Sequence, residues 1–216
     1  MKATMQAAIL DGPRLAFRLA SVDKPIPARG QVLVRIHASG VNPLDLKIRA
    51  GQAAHARHPF PAILGIDLAG TVEAVGPEVS SFREGDEIYG MTGGVGGVQG
   101  SLAEYAAVDA ALLARKPANL SMREAAALPL IFITAWEGLV DRARVQTGQK
   151  VLIQGGAGGV GHSPCSSHGP TVLGCSQPAQ PKARSLSNNS EPSRSTTKLP
   201  PLTNMSGNIP TVVAST

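Results

Sequence analysis

The order of apolar and polar residues along the first 162 positions is typical of a folded chain built mainly from short strands. Residues 31–38 alternate as a half-buried strand requires, and a glycine turn precedes them. Three further segments of strand character follow and are punctuated by glycine and proline: 70–76, 85–90 and 101–108. This spacing predicts a small, partly open β-barrel.

Helical signals appear only after this β-rich region. Ser121 and Glu124 have the spacing of a capping box, which predicts the start of a helix rich in Ala and Leu. We expect a second helix over residues 133–141, with Trp136 packed in the core. A short strand of buried type is predicted at 149–154, and a run of glycines follows it.

The chain changes character after His162. Residues 163–216 contain 8 of the 17 prolines, 11 serines, no aromatic residue and no sustained hydrophobic period. This composition predicts a disordered tail. We therefore divide the chain into a β-domain at 1–120, the beginning of an α/β domain at 121–162 and a Ser/Pro-rich tail at 163–216.

The charge distribution argues against nucleic acid as a partner. The net charge is +5, but residues 1–162 have 16 Lys and Arg against 14 Asp and Glu, and the tail adds 4 against 1. No dense basic patch results, and only 3% of residues are aromatic. The longest apolar run, at 125–136, is too short to span a bilayer, and no secretory signal is visible. We therefore expect a cytoplasmic protein without a membrane partner.

The glycine run carries the clearest chemical signal. Gly156-x-Gly158-x-x-Gly161 follows a predicted strand and precedes an expected helix, with Ala157, Gly159 and Val160 at the intervening positions. Without side chains the backbone can approach a pyrophosphate, and the helix N-terminus supplies free N–H groups. The alternative interpretation is an ordinary glycine-rich turn.

An ordered series of segments resembles the medium-chain dehydrogenase/reductase superfamily, in its zinc-free quinone oxidoreductase (zeta-crystallin-like) branch. The resemblance covers residues 5–162 and rests on 40–45, 60–72, 75–76, 85–86, 100–105, 128–129, 134–135 and the glycine run. It implies a β-rich GroES-like domain followed by the start of a Rossmann domain, with NADPH (NADP) as cofactor. The family reduces quinones or the activated C=C bond of enones, which are small molecules, and is often homodimeric.

The resemblance also assigns roles to residues. Zinc-bearing relatives have a Cys and a Gly-His-Glu segment where this chain has Asn42 and Gly65-Ile66-Asp67, and neither an amide nor an Ile replaces those ligands. The two cysteines, Cys165 and Cys175, cannot form a four-thiolate site, and His37, His55 and His58 suit surface or turn positions, so we expect no zinc. By resemblance Asn42 and Asp45 are the candidate catalytic residues. The resemblance implies that Asn42 lies near the nicotinamide and the acceptor oxygen and that Thr134 contacts the cofactor. We expect Asp45 to brace the turn rather than to act as an acid. The alternative for Asn42 is a turn-forming residue before Pro43.

The resemblance stops at His162–Ser163, inside the cofactor motif, which is a poor place for a domain boundary. Read in a shifted frame, the codons of residues 162–176 permit an apolar helix and a strand start, and those of 203–216 permit a segment similar to a later part of the family. We therefore expect a frameshift, and a truncated 216-residue product that neither binds the nucleotide nor catalyses the reaction. The alternative is a non-catalytic GroES-like interaction module or a non-functional fragment.

Overall fold

The computed structural model describes residues 3–93, 95–146, 151–166, 172–176 and 211–212. It forms two compact units, Met1–Ile133 and Thr134–Thr216.

A five-stranded antiparallel sheet forms the centre of the first unit. In spatial order its strands are β7 (Tyr105–Asp109), β3 (Gln31–Ser39), β5 (Asp67–Val75), β6 (Glu87–Met91) and β8 (Leu113–Arg115). Alternating side chains of β3 and β5 bury a core with Ile88 and Val108, because successive residues of a strand point to opposite faces.

A smaller sheet completes the first unit. β1 (Thr4–Leu10) pairs with β2 (Arg18–Asp23) and with β4 (Ala62–Ile63), both antiparallel. Leu10 and Leu64 are fully buried here and pack with Ile48.

The strands predicted from alternation are present with shifted ends. β3 extends the predicted segment by one residue, whereas β5 begins three residues earlier than expected, at Asp67. The prediction of a strand from residue 101 was wrong, because β7 begins only at Tyr105. The backbone N–H groups of Ser101 and Leu102 donate instead to the carbonyls of Gly65 and Leu64, so this segment lies against the loop before β5.

Four α-helices lie within the described residues. The turn expected at Asn42-Pro43 opens helix α1 (Pro43–Arg49). The predicted capping box is confirmed at α2 (Met122–Ala126), where the Ser121 hydroxyl accepts the Glu124 N–H and the Glu124 carboxylate accepts the Ser121 N–H. Among the described helices, none is long and apolar enough to cross a membrane.

The predicted second helix begins four residues earlier than expected. α3 (Pro129–Trp136) starts at a proline, which is well suited to a first helical position, and a π-helical turn, Glu137–Arg142, follows it. Trp136 is 60% exposed, so its assignment to the core was wrong. α2 lies in the first unit because Ala125 and Ala126 are buried against Ala69 of β5. The second domain was predicted to start earlier, at residue 121.

The second unit contains a small parallel sheet. β9 (Val151–Gln154) lies between β10 (Val172–Ser176) and β11 (Thr211–Val212), and a turn leads from β9 into α4 (Gly159–Ser166). The predicted boundary at His162–Ser163 therefore falls inside a helix, in which the Ser163 hydroxyl donates to the Gly159 carbonyl. Most of the predicted tail, namely 167–171, 177–210 and 213–216, lies outside the described residues.

Candidate functional site

Three buried polar side chains meet in the five-stranded sheet where one interior strand, β3, ends and its neighbour, β5, begins. Asn42 follows β3 and immediately precedes α1, Asp45 lies in the first turn of α1, and Asp67 is the first residue of β5. They are 5%, 6% and 1% exposed. Buried groups of this kind require hydrogen-bond partners, and these partners define the site.

Asp45 holds the backbone around Asn42. One carboxylate oxygen accepts the Asn42 N–H at 2.8 Å, and the other accepts the Gly65 N–H at 3.2 Å. Burial raises the pKa of Asp45, while these two hydrogen bonds oppose the rise. With both oxygens occupied by backbone donors, the geometry is that of a brace between α1 and the segment before β5.

Asp67 is the centre of the set. Its Oδ2 accepts the Asn42 side-chain amide at 2.9 Å, and its Oδ1 accepts the Leu130 N–H in the first turn of α3 at 3.0 Å. Burial raises the pKa of Asp67 to about 6, and the nearby Asp45 charge adds to the rise, whereas the two hydrogen bonds oppose it. A carboxyl group with this pKa changes its charge close to physiological pH.

The backbone of Asp67 is held as firmly as its side chain. Its carbonyl accepts the Gly40 N–H at 3.1 Å and the Ser101 hydroxyl at 2.8 Å. The Ser101 hydroxyl oxygen also lies 2.6 Å from that of Ser39. These contacts join the end of β3, the start of β5 and the segment before β7.

Gly65 makes the close approach of these segments possible. Its φ of +101° is rarely adopted by residues with a side chain, and a Cβ atom there would lie 2.4 Å from the Ser101 hydroxyl oxygen. The residue is required both by its backbone conformation and by the space available.

The structure thus brings two predicted residues, Asn42 and Asp45, into one hydrogen-bonded set. The sequence analysis did not identify Asp67 as the centre of this hydrogen-bonded set. It named Asp67 only as part of Gly65-Ile66-Asp67, the segment that stands where zinc-bearing relatives have Gly-His-Glu. A charged residue directly before the apolar strand residues Leu68 and Ala69 was the available signal, because a carboxylate in such a position needs a buried partner.

His37, His55 and His58, the three histidines considered as ligands, lie outside this set. His37 is exposed and lies 3.1 Å from the Thr71 hydroxyl, and His55 is exposed in a short helical turn. His58 is half-buried, accepts the Gly97 N–H, and has its pKa lowered by burial. Ile66 is fully buried, and among the residues that the structure describes no group of three or more His, Cys, Asp or Glu could hold a metal ion.

The second unit contains the glycine run. Gly155, which follows β9, has a φ of +75°, and its carbonyl accepts the Gly158 N–H at 2.9 Å. A Cβ atom on Gly161 would lie 2.3 Å from the same carbonyl, so α4 can approach the turn only with glycine there. The turn leaves residues 157–160 partly or fully exposed at the start of α4, where backbone N–H groups favour an anion. Thr134, the other candidate cofactor residue, is an exposed residue of α3.

Comparisons with known proteins agree on one family. The alcohol dehydrogenase GroES-like domain matches residues 28–118. The chain is 46% identical to 2-methylene-furan-3-one reductase of Solanum lycopersicum over 66% of this chain and 37% of that protein. It is 36% identical to quinone oxidoreductase of Mus musculus over 82% of this chain and 53% of that protein.

A solved structure gives the same result for the fold. An alcohol dehydrogenase superfamily protein from Novosphingobium aromaticivorans is 68% identical, with a TM-score of 0.73, over 74% of this chain and 48% of that one. The chain spans about half the length of these relatives, or less. Sequence and backbone thus agree on one lineage: the chain belongs to the quinone oxidoreductase branch of the medium-chain dehydrogenase/reductase superfamily.

Proposed function

We propose that this chain is part of a metal-free oxidoreductase that uses NADPH to reduce quinones or the activated C=C bond of enones. The observation that carries the proposal is the glycine turn between β9 and α4, where a Cβ on Gly161 would lie 2.3 Å from the Gly155 carbonyl. Because α4 packs this closely against the turn, the glycines present backbone groups, and no side chains, to a bound dinucleotide. The relatives named as quinone and enone-type reductases support the class of reaction.

The residues of the turn fit a dinucleotide. Gly156, Ala157, Gly158, Gly159, Val160 and Gly161 would hold its pyrophosphate by backbone N–H groups and the helix dipole, and Thr134 would contact it as well. When bound, the cofactor supplies the hydride. The chain's own contribution is to orient the acceptor and to exclude water.

A zinc ion does not fit the residues of the first unit. Asn42 already donates its amide to Asp67 at 2.9 Å, and a buried Ile66 offers no ligand atom. Zinc sites in proteins use thiolate, imidazole or carboxylate ligands, and Asp67 and Asp45 use all four carboxylate oxygens for hydrogen bonds within the protein. We therefore propose positioning by hydrogen bonds in place of a Lewis acid.

Asn42 is the proposed group that binds the acceptor oxygen. Its side chain is held by Asp67 and its backbone by Asp45, so its position is fixed before a substrate arrives. Preorganised groups of this kind gain their effect because no reorganisation accompanies the reaction. Asp45 supports this residue and has no proposed part in proton transfer.

We also propose that the reading frame changes after His162. The motifs that carry the family resemblance end with the glycine run at Gly161, and the shifted frame permits an apolar helix and a strand start of the kind that the family is expected to have after it. Sequencing the gene across codons 160–164 tests this directly. An inserted or missing base supports it, and an unaltered frame refutes it.

Nucleotide binding tests the proposed function through Gly161. In the frame-restored protein, NADPH is expected to raise Tm, and Gly161→Val is expected to abolish the rise because the side chain collides with the Gly155 carbonyl. Gly12→Ala is the control, since the added Cβ there meets only Leu15 at 3.4 Å. The 216-residue chain is expected to show no shift. NADPH oxidation by that chain would refute its expected inactivity, and the absence of NADPH binding by both proteins would refute the reductase.

Substitution of Asn42 tests its role with the acceptor. Asn42→Ala is expected to lower kcat/KM for a quinone or enone about 100-fold, the effect of losing one preorganised hydrogen-bonding group. The NADPH-induced change in Tm should persist. Asn119→Ala, at an exposed asparagine of the same unit, is the matched control. Wild-type kcat/KM in Asn42→Ala would exclude Asn42 from acceptor binding.

A further inference from the structure

The two oxygens of Asp67 have different kinds of partner. Oδ1 accepts a backbone N–H, that of Leu130, at 3.0 Å, whereas Oδ2 accepts the Asn42 side-chain amide at 2.9 Å. The backbone donor belongs to the first turn of α3 and cannot change its chemistry. The amide of Asn42 can rotate by half a turn and exchange its NH₂ group for its oxygen.

We propose that Asp67 is a positioning residue that fixes the orientation of the Asn42 amide. An ionised carboxylate only accepts hydrogen bonds, so the amide must turn its nitrogen toward Oδ2. The inference rests on the proposed function for its catalytic meaning, because the orientation of the amide decides where its second N–H, the one that is not donated to Asp67, is offered to the acceptor oxygen.

The carboxylate is itself held in one place. Asp67 is 1% exposed, and its carbonyl accepts two further hydrogen bonds, from the Gly40 N–H and the Ser101 hydroxyl. Side chain and backbone are therefore fixed together, and Oδ2 cannot move away from Asn42. Among the described residues, no buried side-chain nitrogen or oxygen lacks a hydrogen-bond partner. A change from acceptor to donor at Asp67 therefore requires its partner to change from donor to acceptor.

Asp67→Asn reverses the pattern of donors without changing the shape. The introduced amide has an oxygen that accepts and an NH₂ group that donates, and the oxygen must remain opposite the Leu130 N–H. The introduced NH₂ group then faces Asn42, which must rotate so that its oxygen accepts. The variant is therefore expected to invert the Asn42 amide, whereas a purely structural role for Asp67 predicts only a loss of stability.

NMR of the 216-residue chain labelled with ¹³C and ¹⁵N measures this orientation. The experiment is done at pH 8, where Asp67 is ionised, and Asn42→Ala assigns the relevant signal among the six asparagines. The wild-type chain is expected to show a scalar coupling across the hydrogen bond, from the Asn42 Nδ2 to the Asp67 Cγ. In Asp67→Asn the coupling is expected from the introduced amide nitrogen to the Asn42 Cγ.

Two results would overturn the inference: a wild-type chain without the Asn42–Asp67 coupling, or an Asp67→Asn variant in which Asn42 remains the donor. If the Asp67→Asn variant does not fold, the presence or absence of the Asn42–Asp67 coupling in the wild-type chain decides the inference by itself. Asp86→Asn is the matched control, because that buried carboxylate binds the Arg83 N–H and Arg115 instead. It should leave the wild-type coupling unchanged.

Kinetics of the frame-restored protein then connect the orientation to catalysis. Asp67→Asn is expected to lower kcat/KM for the acceptor at least tenfold with the NADPH-induced change in Tm retained. An inverted amide in a protein whose wild type has no reductase activity would support the positioning role and refute the proposed function. The two proposals therefore fail separately.

Discussion

Replacing Gly65 by alanine is expected to lower the free energy of unfolding of the first unit by about 3–5 kcal/mol. Two effects add at this position. The φ of +101° is unfavourable for any residue with a side chain, and the new Cβ would lie 2.4 Å from the Ser101 hydroxyl oxygen and 3.1 Å from two backbone nitrogens. Ser101 cannot yield without losing its hydrogen bond to the Asp67 carbonyl.

Gly30→Ala separates the two effects. Gly30 also has a positive φ, +76°, but no atom lies within 4 Å of its Cβ position. Its substitution should therefore cost only about 1 kcal/mol, the cost of the backbone conformation. Urea unfolding followed by circular dichroism gives both values, and hydrogen exchange of the β5 amides assigns them to the first unit. Equal losses in the two variants would show that the Ser101 contact is unimportant.

The first unit is also expected to lose stability as the pH rises from about 4 to about 6. The pKa of Asp67 is about 6 in the folded chain because the carboxyl is buried, against an ordinary value of 3.8. The folded state therefore holds this proton more tightly than the unfolded state does. The stabilisation is fully present below the unfolded pKa and is lost as the pH passes the folded one, a change of about 3 kcal/mol at most.

Asp67→Asn tests the origin of this slope. The variant should remove most of the dependence between pH 4 and 6, and Asp45, whose pKa burial also raises, should leave a smaller slope of the same sign. Asp86 has the opposite behaviour, because hydrogen bonds from the Arg83 N–H and Arg115 lower its pKa. Asp86→Asn should therefore leave the slope between pH 4 and 6 intact. An unchanged slope in Asp67→Asn would assign the effect to another group.

The sequence predicts those features whose determinants are local. β3 was placed within one residue because Val32 and Val34, two residues apart, share the core face of the strand, although Leu33 on the other face is buried as well. The capping box at α2 was correct because both of its partners, Ser121 and Glu124, lie within four residues.

The features that were missed depend on contacts between distant segments. Asp67 owes its place in the site to hydrogen bonds from Asn42 and Leu130, which are 25 and 63 residues away in the chain. Ser101 and Leu102 have strand-like character, yet their N–H groups find partners before β5. The local sequence can indicate that Asp67 needs a buried partner, but in neither case does it identify the partner, so no periodicity could reveal these pairings.

The position of Asp67 at the first residue of β5 links the site to strand pairing. Thr71 lies opposite Arg35 and Val72 opposite Val34, and this register decides that residue 67 reaches Asn42. A slip by one residue would present an apolar neighbour, Ile66 or Leu68, because side chains alternate between faces. Insertions before β5 would therefore disable the site, whereas insertions in the 77–81 segment beyond its far end would preserve it. The tolerance of this protein to changes in length is expected to differ at the two ends of a single strand.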